Sequence, residues 1–190
     1  MNIQLTLKES LTKAVDQWME KAASERAHQA MSSTWVETLA SAFRTYYQDD
    51  HSVRVFSKGF QGNASEFGLN ELLYDILVCR AEGILSAKQG KRLQYFSECI
   101  WQVESELARD SRDAILDFNK LVIGGARKKL FIGPLVDDPR AYLDVLLPAA
   151  KVCSGDVYVA LIPHPEVWSA GKQSIRLWEL DGQWRETTEE

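Results

Sequence analysis

The chain reads as an α/β protein: a mixed central sheet flanked by helices, with a helical N-terminal part. Three observations carry this expectation. Residues 5–47 repeat apolar positions at helical spacing, and residues 76–79, 130–132 and 157–162 are apolar runs of strand length. Amphipathic stretches at 110–123 and 139–151 separate the later runs, and strands alternating with helices predict helices packed on a sheet. A length of 190 residues, 45% of them hydrophobic and 26% charged, suits one domain with a sizeable core. That single domain, 1–190, divides into a helical part (1–50), a core (66–163) and a C-terminal hairpin (174–187).

The first helix is expected over 5–29, with Leu7, Leu11, Ala14, Val15, Trp18, Met19 and Ala22 on one face. Ser33 or Thr34 is positioned to cap a second helix that runs to about Tyr47 and carries Trp35, Leu39, Ala42, Phe43 and Tyr46. Ser52–Val55 alternates like a short strand, and Lys58–Ala64, with Gly59 and Gly62, reads as a loop. Phe67–Tyr74 is either a short helix or an irregular approach to Asp75. Ile76–Cys79 is a strand, followed by a polar loop containing Gly83, Lys88, Gly90, Lys91 and Arg92. Ser97–Leu107 is the next strand. Asp110–Ile123 is a helix stopped by Gly124-Gly125. Lys129–Leu135 is a buried strand, and Asp137-Asp138-Pro139 opens a helix that ends near Lys151. Val157–Ile162 is a second buried strand. Asp181-Gly182 marks a hairpin whose two-residue turn puts Trp178 and Trp184 on opposite faces, which argues against a stacking platform for bases.

Composition removes several function classes. A net charge of −5 gives no global basic footprint of the kind that nucleic-acid-binding domains display. No apolar run approaches the ~18 residues of a membrane span, and Met1–Leu7 lacks the charge and apolar pattern of a secretory signal. Cys79, Cys99 and Cys153 are odd in number and widely spaced, as expected of buried thiols in a reducing cytoplasm. His28, His51 and His164 show no paired spacing for zinc. Phosphate-loop, dinucleotide, nucleophile-elbow and zinc-protease motifs are absent.

One constellation carries chemistry. In Cys99-Ile100-Trp101-Gln102-Val103-Glu104-Ser105-Glu106 a strand places Glu104 and Glu106 on one face. Ile100 is expected beside them, with Trp101 and Val103 on the other face, so the strand reads as buried on both sides. Two buried like charges need a partner or a metal. Asp75 stands at the start of the preceding strand, Glu71 lies four residues before it, and Lys120 lies on the helix that follows. Over residues 66–163 this order resembles the PD-(D/E)XK nuclease superfamily, the restriction-endonuclease-like fold, in its E-x-E variant. The segment Asp117-Phe118-Asn119-Lys120-Leu121 is similar to members whose lysine has moved to the adjacent helix. The chain departs from the pattern in having Tyr74 and not proline before Asp75, Glu106 in place of lysine, and a 29-residue gap from Asp75 to Glu104.

The resemblance implies metal-dependent hydrolysis of DNA phosphodiesters, with Mg²⁺ (or Mn²⁺) as cofactor and a role in restriction, defence or processing. Asp75 and Glu104 are then metal ligands, and Glu71 is an outer-shell or second-metal ligand. Glu106 orients or deprotonates the attacking water, and Lys120 stabilises charge on the phosphate. Lys88, Lys91 and Arg92, with Arg127 and Lys128 ahead of Lys129, are the local basic clusters that could touch phosphates. Such nucleases commonly work as dimers, and residues 5–47 are the candidate assembly or DNA-clasping element. Each assignment has a plainer competitor: Asp75 as a helix cap, the glutamates on a solvated edge strand, Lys120 as a surface lysine and the basic clusters as solvated loops. The alternative for the whole chain is an inactive nuclease-like protein, or an unrelated α/β protein, acting as a binding module.

Overall fold

The computed structural model describes residues 1–20, 28–170 and 174–187. In order, they form α1 (Ile3–Glu20), α2 (His28–Tyr46), β1 (Val53–Ser57), α3 (Ala64–Phe67), β2 (Ile76–Ser86) and β3 (Lys91–Ser105). There follow α4 (Ser111–Ile123), β4 (Lys128–Pro134), α5 (Pro139–Ala150), β5 (Asp156–Ile162), β6 (Arg176–Asp181) and β7 (Gln183–Glu186). The seven strands lie side by side in chain order. The pairs β3–β4 and β4–β5 are parallel, each joined by a helix, and the other four are antiparallel. This is a mixed α/β fold with a central sheet flanked by helices.

Strand alternation sorts the core into two layers. On one face Leu7 and Leu11 of α1 and Trp35, Leu39 and Phe43 of α2 pack on Val55, Val78, Trp101, Val103, Leu130 and Ile132. On the other, Phe118 and Leu121 of α4 and Tyr142, Leu143 and Leu146 of α5 pack on Phe56, Leu77, Phe131, Val159 and Leu161. Each fully buried large side chain contributes about 1.5–3 kcal/mol of transfer free energy, so both helical layers are integral to the sheet. The apolar faces of α1 and α2 are therefore occupied internally, and an assembly contact through these helices would use their outer faces. No helix among the described residues is long and apolar enough to cross a membrane.

Several local expectations need correction. The second helix starts at His28, so Ser33 and Thr34 lie inside it; the Thr34 carbonyl accepts the Thr38 hydroxyl at 2.7 Å. Residues 21–27, including Ala22, lie outside the described residues. β2 and β3 run far beyond the expected 76–79 and 97–107, and the polar loop between them is a long antiparallel ribbon. A bulge opposite Val78 and Cys79 leaves Ile100 unpaired and packed on the Trp101 face, so it does not share the face of Glu104. Asp181 pairs directly with Gln183 across Gly182, and Leu180 with Trp184. That register puts Trp178 and Trp184 on the same face, where both join the α5 layer and the Trp184 indole donates to the Leu143 carbonyl at 2.9 Å.

The approach to β2 is irregular, as one of the two readings held. α3 is a single turn, and Leu73 has φ +64° within a tight turn in which Tyr74 N–H donates to the Leu72 carbonyl at 2.8 Å. A branched residue in that conformation costs ~1–2 kcal/mol, and the strained turn immediately precedes Asp75. Leu73 is 78% exposed, so its side chain offsets little of that cost. Leu73→Gly is expected to raise the urea midpoint by the equivalent of up to ~1 kcal/mol. A lowered midpoint would show that the turn is not strained.

Candidate functional site

The end of the β2–β3 ladder builds the site. Ile76 pairs with Val103, so the next residues outward, Asp75 and Glu104, face each other across the strands. Glu104 in turn pairs with Phe131 of β4, which places its side chain on the α4/α5 face of the sheet. Asp75 is held by its own carboxylate, which accepts the Ser105 N–H at 2.8 Å and prolongs the ladder beyond the end of β2. Beyond β3, the Glu106 N–H donates to the Ile132 carbonyl at 2.9 Å, and its carboxylate accepts the Ala108 N–H at 2.6 Å.

α4 supplies the cation. Asp110 caps the helix by accepting the Arg112 N–H, and Ala114, Phe118 and Leu121 fix its inner face. Lys120 therefore lies at the boundary of the buried face, and its Nζ reaches Glu104 Oε2 at 3.1 Å and Asp117 Oδ1 at 2.8 Å. The surface-lysine reading does not describe it, although half of its length remains exposed. Asp117 was quoted in the sequence as part of the helix but given no role. Its position one turn before Lys120 is the signal that could have found it.

The electrostatics follow from this placement. Glu104 is 1% exposed, and one of its oxygens, Oε1, has no hydrogen-bond partner. Burial, and then the facing Asp75, push its carboxyl up to about 8, against the opposing pull of Lys120. Burial also raises Asp75, partly opposed by the Ser105 N–H and by Lys120. Glu106 is raised by burial and by the adjacent Asp117. Burial works against the Lys120 ammonium, but Asp117 and Glu104 more than offset it and hold it above its ordinary value. One ammonium thus bridges Glu104 and Asp117 and acts on Asp75, while Glu106 lies beside Asp117.

The remaining predicted residues divide sharply. Glu71 is exposed on the irregular segment, not on a helix, and stands close enough to raise Asp75. Arg127 pairs with Glu98, and Lys128 lies over the Trp101 ring at 5.3 Å, on the sheet face opposite Glu104. Lys129 is fully buried and donates to Ser154, so it cannot meet a phosphate. Lys88 lies in the turn between β2 and β3, and Lys91 and Arg92 open β3 at its far end. A residue not singled out, Gln102, is buried on the Glu104 face and accepts the Ala126 N–H at 3.4 Å. Gly124 permits that approach, because a Cβ there would overlap the Gln102 amide.

Hard oxygen donors and a buried, unpartnered carboxylate oxygen suit a divalent cation such as Mg²⁺. Among the described residues, no group of three or more His, Cys, Asp or Glu side chains is gathered as a metal site. Compared with known proteins, the chain matches no family model, no curated protein and no solved structure.

The raised carboxyl has a measurable consequence in metal-free buffer. Unfolded, Glu104 ionises near 4.5; folded, it holds its proton up to about 8. Between those values the native state binds the extra proton, so this group's contribution to stability falls as pH rises through the window. Glu104→Gln should flatten that fall and exceed wild type at pH 8.5 by an amount on the order of a few kcal/mol. A variant less stable than wild type at pH 8.5 in urea denaturation would refute the assignment.

Proposed function

We propose that this chain is a metal-dependent nuclease that hydrolyses DNA phosphodiester bonds, built on a restriction-endonuclease-like core of the PD-(D/E)XK type. The observation that carries the reading is the placement of Asp75, held by the Ser105 N–H, beside Glu104, whose Oε1 is buried and unpartnered. Facing carboxylates destabilise a ladder, and a bound divalent cation would turn that penalty into a binding site. Mg²⁺ usually takes one or two carboxylates and completes its shell with water and substrate phosphate, so a cluster of three protein ligands is not required.

Asp75 and Glu104 would hold Mg²⁺ or Mn²⁺, which would supply Lewis acidity toward the phosphate and an acidified water. Glu71 stands at the outer edge of that pair. Glu106, raised by burial, accepts the proton of the attacking water. The water oxygen bonds to phosphorus as the bond to the leaving oxygen breaks. Lys120 shifts from Glu104 toward the phosphate and meets the charge that develops there, while Asp117 keeps hold of it.

A second reading is favoured by one contact. The Lys120–Glu104 ion pair neutralises the buried carboxylate without a metal, as an inactive, binding-only member of such a fold would require. Calorimetry with Mn²⁺ and plasmid nicking with Mg²⁺ separate the two. The nuclease reading expects wild type to bind metal and nick DNA, Glu104→Ala to lose both, and Lys120→Ala to bind metal but nick at least about a hundredfold more slowly. Absence of metal binding by wild type, or binding unchanged in Glu104→Ala, would overturn it.

A further inference from the structure

We propose that residues 82–97 form an arm that enters the major groove of duplex DNA. The last β1–β2 pair is Val53 with Arg80, and β3 meets β4 only from Trp101 onward. The Ala81 N–H still donates to the Ser52 carbonyl and the Cys99 carbonyl still accepts the Arg127 N–H; beyond them the β2–β3 ribbon continues alone, paired to no other strand. Ile84, Leu85, Leu93 and Tyr95 are exposed along it, and only Phe96, stacked on Phe67 at the root, is tied to the body. A lone two-stranded ribbon is marginal in water, which makes this one a surface awaiting a partner.

Charge selects the partner. Residues 82–97 contain Lys88, Lys91 and Arg92 against one acidic residue, Glu82, whose carboxylate accepts the Tyr95 hydroxyl at 2.9 Å. The whole chain carries −5, so the rest of it carries −7 against the arm's +2. No ion pair among the described residues uses any of these three cations. Two copies meeting arm to arm would crowd six cations against two carboxylates, the Glu82 of each arm, and so repel. A polyanion meets the same cations favourably, and a major groove about 12 Å wide admits a two-stranded β-ribbon bare on both faces. Arg92 already lies across the ribbon over Gly83, where any Cβ would collide with its guanidinium. It shares the sheet face of Phe96, whose packing on Phe56 marks the face that also carries Glu104.

The choice of duplex DNA rests on the nuclease reading. Arg92 and Glu104 are twelve residues apart on β3, roughly 40 Å along an extended strand. One helical turn of DNA is about 34–36 Å, so a duplex engaged at both places runs for more than a turn.

The test is fluorescence anisotropy of a 5′-labelled duplex about 24 base pairs long, roughly two turns. It is run in EDTA over a range of salt, so binding is read without metal or cleavage. The triple variant Lys88→Gln, Lys91→Gln, Arg92→Gln is expected to bind about tenfold or more weakly, with the slope of log K against log salt reduced by about 3. Because binding is read in EDTA and needs no metal, failure of the metal site leaves this result standing. Unchanged affinity and slope in the triple variant would overturn the proposal. So would sedimentation showing that the triple variant loses self-association while keeping its DNA affinity.

Discussion

The forced meeting of Asp75 and Glu104 is the constraint on which the functional geometry depends. Ile76 pairs with Val103 at the end of the β2–β3 ladder, and the Ser105 N–H then holds the Asp75 carboxylate next to Glu104. The α4/α5 layer then closes over Glu104 and removes the water that would solvate it. Burial and like charge act in the same direction on its carboxyl, and the one nearby ammonium opposes them without cancelling them. A fold selected for stability alone would place an apolar residue at Glu104, because buried ion pairs rarely repay their desolvation. The strained turn at Leu73, next to Asp75, adds a second local cost at the same place.

Lys120 and Asp117 explain how the fold tolerates this arrangement. The ammonium bridges the buried glutamate to the helix, so Glu104 is not left as an unpaired charge. Because Asp117 is one turn from Lys120, the lysine keeps a partner even when it leaves Glu104. The same helix thus supplies the counter-ion of the resting state and the cation that the proposed reaction needs.

Much of this was legible in the chain. Apolar runs flanked by turn residues located β4 and β5, Asp138-Pro139 located α5 with the capping carboxylate in place, and the E-x-E strand end lies where alternation puts it. The misplacements share a cause: register and length in strands without an apolar signature. Gly83 to Ser97 mixes exposed apolar, basic and glycine residues, so periodicity reads it as a loop, and the ribbon arm accounts for the 29 residues between Asp75 and Glu104. The Ile100 bulge and the direct Asp181–Gln183 pair each shift alternation by one residue, which moves side chains to the other face without changing composition. Asp117 was legible through its i,i+3 spacing to Lys120; what the spacing does not carry is that Lys120 also reaches Glu104, which depends on how α4 docks.

The structure also separates the basic residues by purpose. Lys129 is a buried structural lysine, Arg127 and Lys128 are engaged by Glu98 and Trp101, and the arm cations stand at the opposite end of β3 from the carboxylates. Catalytic and anchoring surfaces on one strand would let an acidic protein approach a polyanion through a small basic patch. The most direct test of the central claim is anomalous diffraction from crystals soaked in Mn²⁺. Mn²⁺ is expected to give a single peak within about 2.1 Å of both Asp75 and Glu104 carboxylates, with Lys120 turned away to Asp117. Crystals saturated with Mn²⁺ that show no peak there, and Lys120 still on Glu104, would contradict it.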